Sequence, residues 1–160
     1  MPLVPDKTSV ERVIAAHPTA IFALLADPSR HRDLDGSGTL RDAVEGPRRL
    51  AKGDTFGMQM RAGLPYTMVN EVVELEEDRR IAWQARPVQT WAQRFIGGRI
   101  WRSELEPVEG GTLVRETWDI AQEAVKPVVW PLRGVVRLSM TRTLDRIAAL
   151  VQPRAGEVTA

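Results

Sequence analysis

The chain has no cysteine. Disulfides, thiolate nucleophiles and cysteine-held metal sites are therefore excluded, and the reading is a cytoplasmic protein. Histidine is nearly absent too, with His17 and His31 the 2 present. Nothing in their spacing brings them together, so no metal is expected. No stretch approaches the roughly 20 apolar residues of a membrane span. The opening "MPLVPDKTSVERV" is charged too early for a secretory leader, so stable membrane insertion is not expected. Neither sign of charge prevails: 22 basic residues stand against 21 acidic ones, for a net +1. That balance offers no broad footprint for nucleic acid or an anionic membrane. Phosphate-loop and dinucleotide glycine patterns are missing, as is a nucleophile elbow, and no cofactor is expected.

Tyrosine occurs once and phenylalanine 3 times, against 5 tryptophans. Trp83, Trp91, Trp101, Trp118 and Trp130 all fall in the second half, which implies a broad apolar surface built from large flat side chains. The length, 160 residues, suits a single domain with a core over about 7–151 and a polar tail at 152–160.

The order of elements follows from periodicity. Residues 8–16 alternate as a first strand. Residues 17–27 take helical spacing, with Pro18 at the first helical position and Asp27-Pro28 as the stop. A second short helix covers about 28–34. Alternating segments follow at 38–46, 54–62, 65–77, 79–87, 98–107 and 110–120, with turns expected at Ala62–Pro65 and at Gly110-Gly111. Residues 132–151 form a long amphipathic helix, its apolar stripe running Leu132, Val136, Met140, Thr143, Leu144, Ile147, Leu150 and Val151. The class is α+β. A curved antiparallel sheet of about seven strands would wrap on the long C-terminal helix, with two short helices after the first strand. A helix that covers one face of a curved sheet leaves a cavity unless side chains fill it.

These pieces, in this order, resemble the START/Bet v 1-like helix-grip superfamily, and within it the bacterial SRPBCC group of polyketide cyclase/dehydrase-like proteins. The resemblance is carried by "VIAAHPTAIFALLADPSRHRDLDGSG", "KGDTFGMQMRAGLPYTMVNEVVELEEDRRIAW", "WRSELEPVEGGTLVRETWDI" and the final helix. It covers nearly the whole chain. It implies a deep apolar pocket between sheet and helix, which relatives use for lipids, sterols, polyketides and plant hormones. It does not choose among carriers, enzymes, sensors and chaperone activators.

Alternation places Phe56, Met58, Met60, Tyr66, Trp83, Trp101, Trp118 and Met140 as an apolar set, lining a pocket or filling a core. Glu116 shares a face with Val114 and Trp118. A carboxyl there must be paired or protonated. It is the first candidate for a polar ligand anchor or a general acid/base, and an arginine salt bridge is the plainer alternative. Ser103 is the second anchor. Asn70 is weaker, because "MVNEVV" does not reveal its face. His31, Asp33 and Asp35 in "HRDLDGSG" could shuttle a proton at the pocket mouth, but a helix end and an Asx turn before Gly36 explain them more simply. Trp91, Phe95 and Ile96, among Arg94, Arg99 and Arg102, read as a hydrophobic lid or as an interface with a partner or a second copy in a homodimer. Trp130 would gate or plug the pocket. The first functional expectation is a container for a hydrophobic small molecule. The rivals are a cyclase or dehydratase using the same pocket, and a chaperone-activator-like interaction protein with a filled core and an exposed apolar patch.

Overall fold

A computed structural model describes residues 5–38, 40–43 and 48–153. Seven strands form one antiparallel sheet: β1 (Lys7–Ile14), β2 (Leu40–Ala43), β3 (Thr55–Ala62), β4 (Leu64–Glu76), β5 (Arg80–Pro87), β6 (Ile100–Val108) and β7 (Gly111–Asp119). From β2 to β7 each strand pairs with its successor, and β7 then pairs with β1. Two helices, α1 (Pro18–Leu25) and α2 (His31–Leu34), join β1 to β2. Two more, α3 (Lys126–Val129) and α4 (Arg133–Val151), follow β7. This is the expected helix-grip architecture.

The sequence explains the starts and stops. His17 lies outside α1 as its N-cap, and its ring accepts a hydrogen bond from the Thr19 N–H while Pro18 opens the first turn. Asp27 caps the short 3₁₀ turn Pro28–Arg30 through Ser29 N–H. The hairpin of β6 and β7 pairs Val108 with Gly111, so its turn is Glu109-Gly110, one residue earlier than the expected Gly110-Gly111. β2 is described at Leu40–Ala43, within the expected 38–46; residues 39 and 44–46 of that segment lie outside the described residues.

Alternation along each strand and the pairing register together fix one inner face. Val10, Glu116, Ser103 and Ile81 form one row across β1, β7, β6 and β5. Thr8, Trp118, Trp101, Trp83 and Val72 form the next. Asn70 joins the same face between Ala85 and Phe56, followed by the pairs Met58–Met68 and Met60–Tyr66. Arg12, on this face of β1, ion-pairs with Asp145 of α4 at 2.5 Å, so this is the face toward the helix. The outer face is laced by ion pairs: Arg102 with Glu74 and Asp119, Arg80 with Glu104, and Arg115 with Glu11.

The helix packs against β1, β7, α1 and α2. Met140, Leu144, Ile147 and Ala148 are its buried residues, whereas Leu132 and Leu150 of the expected stripe are exposed. The apolar contact therefore runs along one side of α4 from Val136 and Met140 to Val151.

The sheet has two distinct ends. At one, β3 turns into β4, β5 leads to β6, and β7 leads into α3 and the start of α4. We call this the entry end. At the other, β4 turns into β5, β6 turns into β7, and β1 leads into α1. This exit end also holds the last turn of α4, where Gln152 accepts a hydrogen bond from the Ala15 N–H at 3.0 Å.

Candidate functional site

The inner face is not uniform along its length. Toward the exit end Ile14, Ile81, Leu105 and Val114 are buried with Ile21 and Phe22 of α1. Mid-sheet, in the row of Val72 and Trp118, Trp83 and Trp101 are only half-buried; toward the entry end Met60 and Met68 are half-buried, and Tyr66 is 38% exposed. Val72, Trp118 and Met140 are buried, and so are Phe56 and Met58 of β3, which lie on the entry side of the tryptophan row. Tyr66 belongs to the rim rather than the interior. Its hydroxyl is shifted upward, chiefly by partial burial, with Arg99 opposing and Asp35 adding.

Glu116 sits mid-sheet on this face. Among the described residues it has no salt bridge to an arginine, the plainer alternative in the sequence. Its carboxyl accepts a hydrogen bond from the Ser103 hydroxyl at 2.7 Å, and both side chains are buried. Burial pushes its pKa up to about 7, and the Ser103 bond pulls weakly the other way. Near neutral pH the group is thus divided between acid and carboxylate, the condition in which it can give or take a proton.

His31 is buried rather than at the mouth. Its Nε2 lies 2.8 Å from the Leu25 carbonyl oxygen. The ring stacks on Trp83 at 4.9 Å between centroids and meets the edge of Phe56 at 5.5 Å. Burial drives its pKa down to about 4, so the ring is neutral at physiological pH. A neutral ring bonded to a carbonyl carries its proton on Nε2, which leaves Nδ1 as an acceptor. That atom has no partner, and the same holds for Asn70 Nδ2, Trp118 Nε1 and Trp130 Nε1. Sequence reasoning left the face of Asn70 open and gave no role to the indole N–H groups.

Asp35 is architectural. Its Oδ1 accepts from the Ser37 N–H at 3.0 Å and from the Ser37 hydroxyl at 2.6 Å, and its Oδ2 accepts from the Leu40 N–H at 2.9 Å. Asp33 pairs with Arg30. The adjacent Gly36 donates its N–H to Thr143 of α4. A Cβ at Gly36 would stand 2.1 Å from the Ser139 carbonyl oxygen, so only glycine lets this loop lie so close to the helix. "HRDLDGSG" is a turn that ties α2 to α4 and leads into the sheet.

The expected lid takes a different form. The connection from β5 to β6 makes a 3₁₀ turn at Ala92–Arg94 and leaves Trp91, Phe95 and Ile96 exposed rather than folded over the pocket. Its far end is firmly held. Glu123, whose side chain is 0% exposed, accepts from the N–H groups of Gly97 and Arg99 and ion-pairs with the Arg99 guanidinium. Arg102 lies apart from this loop, on the outer face. Trp130 is half-buried with the Arg133 guanidinium 3.4 Å over its ring.

A separate depression of about 420 Å³ lies at the exit end, lined by Ala16, His17, Pro18, Asp78, Arg79, Pro107 and Gly111. None of the candidate residues lines it. No group of three or more potential ligating side chains occurs among the described residues, and no helix among them is long and apolar enough to cross a membrane.

The family model described as polyketide cyclase/dehydrase and lipid transport matches residues 5–152. The chain belongs to this family. Among curated proteins it is similar to the uncharacterised protein Rv0088 of Mycobacterium tuberculosis, at 36% identity over 117 residues. That match takes in 72% of this chain and 48% of the relative, so the chain spans about half the length of the curated relatives it matches. Among solved structures, protein CV1439 of Chromobacterium violaceum superposes with a TM-score of 0.72 at 20% identity, covering 93% of this chain and 99% of that one. The di-domain ARO/CYC protein StfQ of the steffimycin biosynthetic pathway gives 0.71 at 14% identity, covering 94% of this chain and 52% of that one. At such identities the likeness to the solved structures shows the fold alone; the site has to be argued from this chain's own residues.

Proposed function

We propose that the chain binds a hydrophobic small molecule, lipid-, sterol- or polyketide-like, between the inner face of the sheet and α4. The observation that carries this reading is the gradient along that face. Apolar side chains are tightly buried at the exit end and retain exposure at Trp83 and Trp101 mid-sheet and at Met60 and Tyr66 toward the entry end. Removing apolar ligand surface from water there would supply roughly 25 cal/mol per Å², before the cost of association. Glu116 and Ser103 are the polar pair available to fix orientation through a ligand hydroxyl or carbonyl. The test is tryptophan fluorescence titration with a long-chain fatty acid, a sterol and an aromatic polyketide. A saturable response to at least one, weakened in Trp101→Ala, supports the reading; no response to any of the three opposes it.

One observation favours a second reading. A buried carboxyl poised near pH 7 suits acid/base chemistry in a cyclase or dehydratase. Glu116→Gln separates the two. A catalyst keeps its binding and loses turnover of a linear poly-β-keto substrate, whereas a carrier turns nothing over with either side chain.

A further inference from the structure

We infer that the entry end docks on the surface of an anionic phospholipid bilayer. The near-neutral net charge conceals a segregated distribution. Three segments converge at this end, and none of them contains an acidic residue: 55–70, 84–103 and 124–144. They adjoin one another. The Val88 N–H bonds to the Thr67 carbonyl, and the Ala124 N–H bonds to the Gly97 carbonyl.

The same segments carry most of the exposed large apolar side chains. Trp91 is 70% exposed, Leu64 78%, Phe95 57% and Val135 66%. Between them stand Arg61, Arg94, Arg133 and Arg137, all exposed, and none has a carboxylate partner among the described residues. Of the acids that reach this end, Glu71 is exposed on the outer face in the row of Asp119, and Asp42 of β2 stands beside Gln59; four others are engaged. Asp6 pairs with Lys126, Asp119 with Arg102 and Glu123 with Arg99, while Asp35 accepts N–H groups from Ser37 and Leu40. At the opposite end the turns hold Glu76, Glu77, Asp78, Glu106 and Glu109. At that end Glu76 pairs with Arg79 and Glu77 with Arg49, so what distinguishes the entry end is its arginines without carboxylate partners among the described residues and its exposed apolar side chains.

Exposed aromatic and aliphatic side chains interleaved with arginines match the chemistry of a lipid interface. The apolar groups enter the acyl boundary and the guanidinium groups meet anionic headgroups. A duplex nucleic acid would use the cations and leave Trp91 and Phe95 in water. Docking in this orientation turns the carboxylate-rich end away from the bilayer. It also brings Met60 and Tyr66, at the less buried end of the inner face, to the lipid side. The inference rests on the surface alone and does not require the ligand-binding reading.

The test is co-sedimentation of the full chain with vesicles of phosphatidylcholine and with vesicles containing phosphatidylglycerol in equal part. The expected result is binding to the anionic vesicles, weak or no binding to the neutral ones, and release by high salt. Arg94→Gln and Arg137→Gln should each weaken binding about fivefold. The double variant Trp91→Ser, Phe95→Ser should abolish it, and neither side chain is part of the core. Val13→Ser, at an exposed apolar position of β1 outside these segments, should leave binding unchanged. Absence of binding to anionic vesicles overturns the proposal. So does a concentration-dependent dimer that the Trp91, Phe95 double variant dissociates, because the patch would then belong to a second copy of the chain.

Discussion

The Ser103 hydroxyl donates to the Glu116 carboxyl across 2.7 Å, and both groups stand on the buried inner face of adjacent strands. Their placement makes the interior of this protein sensitive to pH. Burial holds the folded Glu116 near pKa 7, above its ordinary 4.5. The folded state therefore binds a proton more tightly than the unfolded state between those values. Its contribution is favourable at low pH and is lost as pH rises through that window, by about 3 kcal/mol in all.

His31 works in the opposite direction. Burial lowers it from 6.5 to about 4, so the unfolded chain takes up the proton first. Stability is lost as pH falls through that range, again by about 3 kcal/mol. The two slopes overlap and oppose each other. The wild-type protein should show a shallow stability profile between pH 4.5 and 6.5. Glu116→Gln should unmask a profile that rises with pH, and His31→Phe one that falls with pH. Urea unfolding midpoints across this range check both. Parallel profiles for the two variants would contradict the assignment.

Gly36→Ala should destabilise the fold by about 1–3 kcal/mol, because the new methyl group meets the Ser139 backbone of α4 rather than a movable side chain. Thermal unfolding measures this. A melting temperature equal to wild type would show that the loop can move off the helix without cost.

Glu123→Ala should cost about 1–3 kcal/mol, since it leaves the partly buried Arg99 guanidinium without its carboxylate and frees two backbone N–H groups. Hydrogen exchange should quicken at Gly97, Arg99 and Ala124, where the β5–β6 connection is fastened to the segment after β7. Unchanged protection at these amides would contradict the clamp.

Much of this arrangement was legible in the sequence. Phe56, Met58 and Met60 alternate without interruption, as do Val114, Glu116 and Trp118, and parity alone put each set on one face. Asn70 could not be placed, because β4 changes register between Val72 and Glu74. Met68, Asn70 and Val72 face inward with one parity, and Leu75 faces inward with the other. His31 belongs to a four-residue helix, too short to show a periodicity, and contacts with Trp83 and Phe56 from distant strands set its position. The lid expectation failed because an apolar loop sequence does not say whether its side chains turn in or out. The character of the entry end was hidden for a related reason: three acid-free segments distant in sequence become one end only once the strand order is known.

The central claim is that the inner face holds a hydrophobic small molecule, and native mass spectrometry of the freshly purified protein tests it most directly. The account predicts a mass above that of the chain, lost on organic extraction, with an apolar compound recovered in the extract. A chain mass with no adduct, together with no tryptophan response to fatty acid, sterol or aromatic polyketide, would contradict it.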